Sequence, residues 1–297
     1  MARIIFVLAL VLVAHSSLSA CDACGCSASG NSMGVLQGFR NNFAGVGLYL
    51  TPFRTLGHHQ GKDYFYTSEI FGRYHLGSRW KVALSLPFQY NLRMPAEAEK
   101  YTVKGLGDSK ITAAYALVND KYFGDNGKIY WEAALGAKLP TGKFDRDISD
   151  ADLPENFNLG SGSFGLIAQT ALQLDFGKMG VTTNAGWLLN GESPTGYRFG
   201  SRASISSRAF WRWFLGENVI VLPNAGLSSE WIESDHFANG RSNAGTGGRG
   251  LFFSGGINFK VSDFFIGSSV QIPLYEDYSN GEVTPMNRVN IDVSYFF

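Results

Sequence analysis

The chain has 297 residues, with 25 Lys and Arg against 25 Asp and Glu, so its formal net charge at pH 7 is zero. Only 17% of the residues are charged, whereas 14% are aromatic and 36 are glycine. This balance excludes the basic surface of a nucleic-acid-binding protein and departs from the roughly 25% charge of an ordinary soluble domain. The composition favours strands that face lipid.

The first predicted element is a secretory signal peptide over residues 1–20. Arg3 gives the segment a positive start, and residues 4–14 form an apolar run. This run is too short for the roughly 20 residues of a membrane-spanning helix, and it is followed by small residues up to Ala20. We therefore predict three parts: the signal at 1–20, an N-terminal periplasmic segment at 21–43, and an outer-membrane β-barrel at 44–297.

The three cysteines of the chain, Cys21, Cys24 and Cys26, follow the signal directly. Leu18-Ser19-Ala20-Cys21 resembles the lipobox of bacterial lipoproteins, which predicts lipidation of Cys21. Alternatively, thiolates in C-x-x-C-x-C spacing can converge on a soft ion such as Cu(I) or Zn(II). The two hypotheses compete, because a thioether-linked Cys21 is no longer a thiolate. No other cofactor is predicted.

From about residue 44 the sequence alternates apolar and polar residues in segments of about ten, as expected of transmembrane strands. The alternation is clearest at Val82, Leu84, Leu86, Phe88, Tyr90 and Leu92. About twelve strands are predicted, near 44–53, 64–75, 82–92, 107–118, 131–139, 164–176, 180–190, 197–212, 218–231, 250–261, 263–274 and 287–297. The fold class is therefore all-β, a transmembrane antiparallel up-and-down barrel.

The predicted connections alternate in length, as in barrels with short periplasmic turns and long extracellular loops. Tight turns are predicted near 77–78, 177–178, 215–217 and 262–263, and long loops at 93–104, 141–161, 232–249 and 275–285. An even strand number then places both termini in the periplasm. The link 119–127 is too long for a tight turn and does not fit this pattern.

Aromatic residues near the predicted strand ends fit the interfacial girdles of such barrels. They are Tyr64, Phe65, Tyr66, Trp80, Trp131, Trp187, Trp211, Trp213, Phe252 and Phe264. The last strand carries Val293, Tyr295 and the terminal Phe297 on one face. This ending resembles the C-terminal signal that the barrel-assembly machinery reads, so that machinery is a predicted partner, together with outer-membrane lipid.

Three short motifs carry a family resemblance: Gly105-Leu106-Gly107-Asp108, Leu139-Pro140-Thr141-Gly142 and Leu159-Gly160-Ser161-Gly162-Ser163. Their order and spacing resemble the MetA-pathway phenol-degradation family of outer-membrane transporters. The resemblance implies a transporter-like barrel for small, often aromatic, molecules. From the residues themselves we predict structural roles, because glycines permit turns with positive φ and close approaches at barrel rims.

Several loop residues are of types that can act as ligands or catalysts. Asp235-His236-Phe237-Ala238-Asn239-Gly240 partly resembles a stretch of outer-membrane phospholipases, but Ala238 replaces the nucleophile that a histidine would activate. The adjacent His58 and His59 are interpreted as solvated loop residues. The acidic group of Asp145, Asp147, Asp150, Asp152 and Glu155 is interpreted as a solvated surface loop rather than a cation site.

The sequence therefore predicts a barrel in the outer membrane of a Gram-negative bacterium that acts as a channel or transporter for small solutes and is not an enzyme. The alternative is a metal-handling or scaffold barrel that uses the N-terminal cysteines. A barrel hydrolase is the weakest hypothesis. Which side chains line the lumen depends on strand register, because a slip of one residue exchanges the two faces of a strand.

Overall fold

The computed structural model describes residues 41–56, 60–96, 99–148 and 153–297. In these ranges the chain is built mainly from strands, with short 3-10 helices at Glu155–Phe157 and Ser279–Gly281. No helix within them is long and apolar enough to cross a membrane.

The strands pair in an antiparallel meander that closes on itself. Their bounds are β1 Phe43–Thr55, β2 Gly61–Leu76, β3 Trp80–Pro95, β4 Tyr101–Leu106, β5 Ser109–Phe123, β6 Gly127–Leu139, β7 Gly165–Phe176, β8 Met179–Asn190, β9 Arg202–Trp211, β10 Trp213–Leu215, β11 Val219–Ile232, β12 Gly248–Val261, β13 Phe264–Tyr278, β14 Val283–Pro285 and β15 Arg288–Phe296.

The fifteen segments form a wall of twelve strands, because three of the wall strands are each interrupted once. β4 and β5 pair in turn with the two halves of β3, β9 and β10 pair with β11, and β14 and β15 pair with β1. The pairing of β15 with β1 runs from Phe43 opposite Phe296 to Leu50 opposite Val289. This last ladder closes the barrel and confirms the predicted fold class.

Alternation along each strand separates an apolar outer face from a polar lumen. On β3, Leu84, Leu86, Phe88 and Tyr90 are 39–46% exposed, while the intervening Ser85, Gln89 and Asn91 are buried. In a closed barrel the buried face is the inner one, so the apolar residues face outward, as the period-2 pattern predicts.

The short connections lie at one end of the barrel, together with Phe43 and Phe296. Gly77, Gly177 and Gly216 occupy three of these turns with φ of 94°, 72° and 74°, which a side chain would disfavour. The longer connections lie at the other end. Short and long connections therefore lie at opposite ends, which is the asymmetry that the sequence predicts.

The link 119–127 is not a long connection, contrary to the sequence interpretation, because most of it belongs to β5. β5 continues to Phe123 and pairs with β6 as far as Gly127, with register shifts after Ala116 and Val118. Asp120 lies within the irregular stretch at φ 53°. These irregularities absorb the additional residues within the strand, so the alternation ends early although the strand does not.

The predicted aromatic girdles are confirmed in part. Trp80, Trp131, Trp187, Trp211, Trp213 and Phe264 are 40–54% exposed on the outer face. Phe65 and Phe252 are instead 1% exposed and point into the lumen. Both residues lie near strand ends, but the face on which they lie depends on strand register, which the sequence does not determine.

Candidate functional site

The candidate site is the lumen, which is lined by charged and amide side chains. Buried charged residues on the strands include Asp63, Glu69, Arg73, Lys81, Arg93, Lys110, Glu132, Lys138, Arg202, Arg208 and Asp292. A buried charge is tolerated only when other charges or hydrogen bonds compensate it. These side chains therefore form networks across neighbouring strands.

The network nearest the short-turn end surrounds a cavity that we call the inner cavity. Lys81 lies 2.6 Å from Glu132 and also donates to the hydroxyl of Tyr130. The hydroxyl of Ser85 donates to Glu69, and both residues line the same cavity. The remaining lining includes Phe71, Arg73, Lys110, Thr112 and Gln169.

A second cavity, the outer cavity, lies nearer the long loops. It shares Glu69 and Lys110 with the inner cavity, so the two are neighbours along one wall of the lumen. Lys138 and Arg202 add positive charge, and Gln89, Asn158 and Asn190 add amides. Apolar surface comes from Pro87, Leu159, Leu188 and Phe199. The outer cavity thus combines charge with an apolar wall.

Asp108 anchors the connection between β6 and β7 to the barrel wall. One carboxylate oxygen accepts from the backbone N–H and the hydroxyl of Ser161, both at 2.8 Å, and the other accepts from the N–H of Gly142 at 3.1 Å. Lys138 lies 3.5 Å from the same carboxylate, donates to Ser161, and donates to Asn190 at 2.8 Å. We call this group the Asp108 anchor.

The three family motifs meet at this anchor. The hydroxyl of Thr141 accepts a hydrogen bond from the backbone N–H of Ser109 at 2.8 Å and donates one to the carbonyl of Gly107 at 3.1 Å. A side chain on Gly142 would lie 2.7 Å from the Cα of Gly160, so the backbones approach too closely for any residue but glycine. The motifs therefore have the structural role that the sequence predicted, and they also contribute Asp108 and Ser161 to the lining of the outer cavity.

Residues 153–162, which we call the inward segment, lie against the lumenal faces of the first strands. Phe157 is fully buried and its ring centroid lies 5.1 Å from that of Phe65. The amide of Asn91 donates to the carbonyl of Phe157 at 3.2 Å. Phe157 belongs to an apolar cluster with Phe53, Phe65, Ile148, Leu153, Tyr278 and Val283. The segment narrows the long-loop end of the lumen.

Burial also changes the acidity of one residue in the inward segment. It raises the pKa of the Glu155 carboxyl above the usual value, and the nearby negative charges of Asp235 and Asp145 add to this effect. The amide of Asn158, which donates to Glu155 at 3.2 Å, opposes the rise. Ionisation of the Glu155 carboxyl therefore disfavours the packing of the inward segment against the barrel wall.

An apolar layer lies at the opposite, short-turn end of the lumen. It consists of Phe43, Phe71, Phe210, Leu222, Phe265 and Phe296, each at most 4% exposed, and we call it the phenylalanine cluster. Neighbouring rings meet edge to face, with centroids 6.1 Å apart for Phe43 and Phe71. The lumen is therefore polar in its middle and apolar near both ends.

Further ion pairs lie on β9, β11 and β15. Arg288 holds Glu230 through two hydrogen bonds, of 2.8 and 3.0 Å, and its guanidinium lies over the ring of Phe252 at 4.1 Å. Arg208 interacts electrostatically with Asp292. Such bidentate pairs fix the geometry of an arginine strongly.

Known structures share this architecture. The structure is similar to the crystal structure of an outer-membrane channel from Pseudomonas putida F1, with a TM-score of 0.62, 14% identity, and coverage of 86% of this chain and 96% of that one. It is also similar to the beta domain of the Bordetella autotransporter BrkA, with a TM-score of 0.51, 13% identity, and coverage of 86% and 100%.

The chain has the fold of an outer-membrane β-barrel. Its sequence matches no family model and no curated protein. The resemblance to the MetA-pathway family therefore remains a prediction. At these identities the similarity to both solved barrels establishes architecture alone.

The predicted site residues of the barrel are distributed as follows. Cys21, Cys24 and Cys26 lie outside the described residues, as do His58, His59, Asp150 and Asp152. Val293 and Tyr295 are on the outer face of β15, and Phe297 follows it, all 38–60% exposed. Among the described residues no group of three or more His, Cys, Asp or Glu side chains could hold a metal ion.

The loop around His236 is ordered by backbone bonds to a neighbouring loop. His236 donates its N–H to the carbonyl of Arg198 at 2.8 Å and accepts from the N–H of Arg198 at 2.9 Å. Beside it, Asp235 accepts from the hydroxyl of Tyr197 at 2.7 Å. Ala238 lies against Gly196 at the loop tip. These contacts give the loop a packing role.

Sequence reasoning missed the two cavities, the inward segment and the phenylalanine cluster. The cavity residues belong to seven different strands, so their proximity appears only when the barrel closes. The one available signal was the set of three glycine motifs, which marked where the inward segment is attached. Asp108 belongs to the first motif, but its contact with Ser161 spans 53 residues of sequence.

Proposed function

We propose that the protein is a channel of the outer membrane of a Gram-negative bacterium and that it admits small solutes. The observation that carries the proposal is a closed twelve-stranded barrel whose outer face is apolar and whose lumen contains two neighbouring charged cavities. A lumen filled completely by side chains would leave no such cavities.

The lumen supports a narrow path rather than a wide pore. The inward segment covers one end, and the phenylalanine cluster lies at the other. Barrels of this size leave limited interior space, and apolar constrictions can gate by excluding water. We expect small conductance and a low size limit for solutes.

The proposal is tested by single-channel recording. The purified barrel is added to a planar lipid bilayer in KCl, and discrete conductance steps are expected. A matched preparation that has been heat-unfolded serves as the control, because it contains the same detergent and contaminants. A correctly folded barrel that never produces steps, even when the inward segment is released by mutation, contradicts channel function.

The family resemblance supplies a finer expectation about the solute. It implies uptake of small, often aromatic, molecules. The apolar surface of Leu159, Leu188 and Phe199 in the outer cavity is consistent with a solute of this kind. We expect no enzymatic activity, in keeping with Ala238 beside His236. Loss of a lipid-hydrolysing activity in a His236→Ala variant would overturn that expectation.

A second role is proposed for the N-terminal segment, because every thiol of the chain lies in Cys21, Cys24 and Cys26. Either Cys21 is lipidated after removal of residues 1–20, or the three thiolates bind Cu(I) or Zn(II). Intact-mass spectrometry of the mature protein distinguishes the two, since an acyl addition on Cys21 leaves only two thiols. Metal titration of a Cys24→Ser/Cys26→Ser variant tests the metal-handling alternative.

The C-terminal residues are proposed as the assembly signal. Val293, Tyr295 and Phe297 present an apolar row on the outer face of the closing strand. Deletion of Phe297 should reduce the amount of folded barrel in the outer membrane without changing synthesis. Unchanged assembly of that variant would remove the barrel-assembly machinery from the list of expected partners for this segment.

A further inference from the structure

The outer face of the barrel carries a groove at its long-loop end. Its centre is a single row of residues that are paired across neighbouring strands. Trp187 on β8 is paired with Ala203 on β9, and Ala203 is paired on its other side with Trp231 on β11. The row continues to Arg249 on β12 and Asp277 on β13. We call this groove, which has a volume of about 430 Å³, the tryptophan groove.

Ala203 forms the floor of the groove, because its methyl group lies between two much larger side chains. Neighbouring strands lie about 4.8 Å apart, so the backbones of the two tryptophans are roughly 10 Å apart. That separation leaves room for one six-membered ring above Ala203. Trp187 and Trp231 are 52% and 46% exposed, so both indoles can contact a ligand.

The two indole N–H groups are also available to a ligand. Neither of them donates to a protein acceptor among the residues that the structure describes. Trp131 differs, because its indole N–H donates to the hydroxyl of Thr170 at 2.8 Å. The N–H of a tryptophan usually finds a hydrogen-bond partner. In the tryptophan groove a bound molecule can supply that partner.

The polar end of the groove is formed by Ser201, Glu233, Arg249 and Asp277. Arg249 lies 3.6 Å from Asp277, and their side chains are 58% and 47% exposed, so the pair is open to a third partner. The N–H of Glu233 donates to the carbonyl of Ser201 at 2.9 Å. A side chain on Gly200 would lie 1.8 Å from the carbonyl oxygen of Glu233, so the close approach of these two loops requires glycine. The backbone therefore fixes the polar end.

This set of groups favours a neutral ligand with several hydroxyls. The lining has two carboxylates and one guanidinium, so a phosphate would meet more negative than positive charge. An ammonium group cannot accept from the indole N–H groups, and Arg249 would repel it. A hydroxyl both donates and accepts, so it can pair with the carboxylates, the guanidinium and the indoles alike.

A sugar ring combines such hydroxyls with an apolar face. The C–H groups on one side of the ring can pack on the negative face of an indole. From the groove toward the short-turn end, the outer wall continues with Ile205, Leu227 and Leu251, which are 36–50% exposed. An acyl chain attached to the sugar can lie along this apolar wall. The groove thus lies at the boundary that a glycolipid occupies, with its headgroup toward the polar end.

We propose that the tryptophan groove binds the sugar headgroup of a membrane glycolipid, with the acyl chain of the lipid along the outer wall. The source is a glycolipid rather than a free saccharide, because the groove continues onto the lipid-facing wall. This inference goes beyond the proposed channel function and does not depend on it, since the row that forms the groove faces outward.

The test compares two detergents that share a twelve-carbon chain. Dodecyl maltoside has a disaccharide headgroup, and octaethylene glycol monododecyl ether has a polyether headgroup. The barrel is folded in the ether detergent, dodecyl maltoside is added, and native mass spectrometry counts the maltoside molecules that remain bound. The wild type is expected to retain one molecule of maltoside in preference to the ether detergent.

Ala203→Leu fills the floor of the groove and changes none of its polar groups. It should weaken maltoside binding by about tenfold or more. Ala168→Leu is the matched control, because Ala168 on β7 is paired with Trp187 on its other side and does not line the groove. The control should bind dodecyl maltoside like the wild type. Heat-modifiable gel mobility establishes that each variant is folded.

A second pair of variants tests the indoles. Trp187→Leu/Trp231→Leu keeps the groove apolar but removes both ring faces and both N–H donors, so maltoside retention should be lost. Trp80→Leu/Trp213→Leu removes two equally exposed tryptophans at the short-turn end and should retain maltoside.

The remaining outcomes overturn the proposal. Equal retention of the two detergents, or equal binding by Ala203→Leu and Ala168→Leu, contradicts a sugar site in the groove. Binding of free maltose as tightly as dodecyl maltoside contradicts the glycolipid source. Displacement of dodecyl maltoside by an equal amount of phosphatidylethanolamine would assign the groove to a phospholipid instead.

Discussion

Replacing Asp108 with alanine should release the inward segment from the barrel wall. The carboxylate holds Gly142 and Ser161 through three hydrogen bonds of 2.8–3.1 Å and faces Lys138 at 3.5 Å. Asp108 and Lys138 are 7% and 3% exposed. The substitution therefore removes a buried charged acceptor and leaves a buried lysine without this carboxylate.

The magnitude follows from the loss of one partner of a buried ion pair, which costs about 3–5 kcal/mol. Hydrogen bonds to a charged group contribute roughly 1.5–3 kcal/mol each, but the three share one carboxylate and do not add fully. Since each 1.4 kcal/mol is about a factor of ten, the released state should become roughly a hundredfold to several thousandfold more populated. Ser161→Ala should cost less, because the backbone N–H of residue 161 still reaches Asp108.

Limited trypsin digestion measures this release, because Lys143 and Arg146 lie in the connection that the Asp108 anchor holds. Cleavage there should accelerate strongly in Asp108→Ala, while the barrel remains protected, and single-channel conductance should rise. Asp125→Ala, in the exposed β5–β6 turn, is the control. An Asp108→Ala barrel with wild-type cleavage and conductance would refute the role assigned to the anchor.

Three further predictions concern the lumen and the wall. Phe71→Ala should destabilise the barrel by about 3–5 kcal/mol and increase its conductance, because Phe71 lies in the phenylalanine cluster and lines the inner cavity. The control is Ile70→Ala on the outer face, which should leave the conductance unchanged. Because burial raises the pKa of Glu155, docking of the inward segment is most stable below the ordinary pKa of a glutamate and weakens as pH rises through the raised one. Conductance should therefore fall on mild acidification, and the conductance of Glu155→Gln should be low at every pH. If the pH response persists in Glu155→Gln, another group causes it. Leu135 is 65% exposed on the outer face, so Leu135→Arg should lower the free energy of unfolding by about 2–4 kcal/mol, measured by urea unfolding from lipid. Leu135→Ala should lower it far less. Equal losses in the two variants would argue against lipid contact at this position.

The wall of the barrel could be predicted because alternation is a local property. On β3, each residue from Val82 to Leu92 reveals its face through its immediate neighbours. The prediction failed where alternation breaks without the strand ending. Around Asp120 the bulged pairing with β6 interrupts the period, so the sequence indicated a loop where the strand continues to Phe123.

The lumen could not be predicted to the same depth. The position of Phe65 and Phe252 near strand ends predicts a place in the aromatic girdle, whereas the face on which they lie depends on strand register. Glu132 and Lys81 are separated by 51 residues of sequence, and only closure of the wall brings them to 2.6 Å.

The glycine motifs illustrate an intermediate case. Their residues indicated tight backbone geometry, and the contact of Gly142 with Gly160 confirms a close approach. The partner of each motif was not visible, because the motifs stabilise one another across β5, β6 and the inward segment. Local chemistry identified the residues, and long-range pairing determined what they hold.

Solute release from proteoliposomes tests the central claim most directly. Vesicles loaded with a labelled small carboxylate and a labelled large dextran are prepared with the folded wild-type barrel or with the heat-unfolded protein. The barrel should release the carboxylate and retain the dextran, and Asp108→Ala should release the carboxylate faster. Retention of both labels by vesicles that contain either folded barrel would contradict the assignment of this protein as a small-solute channel.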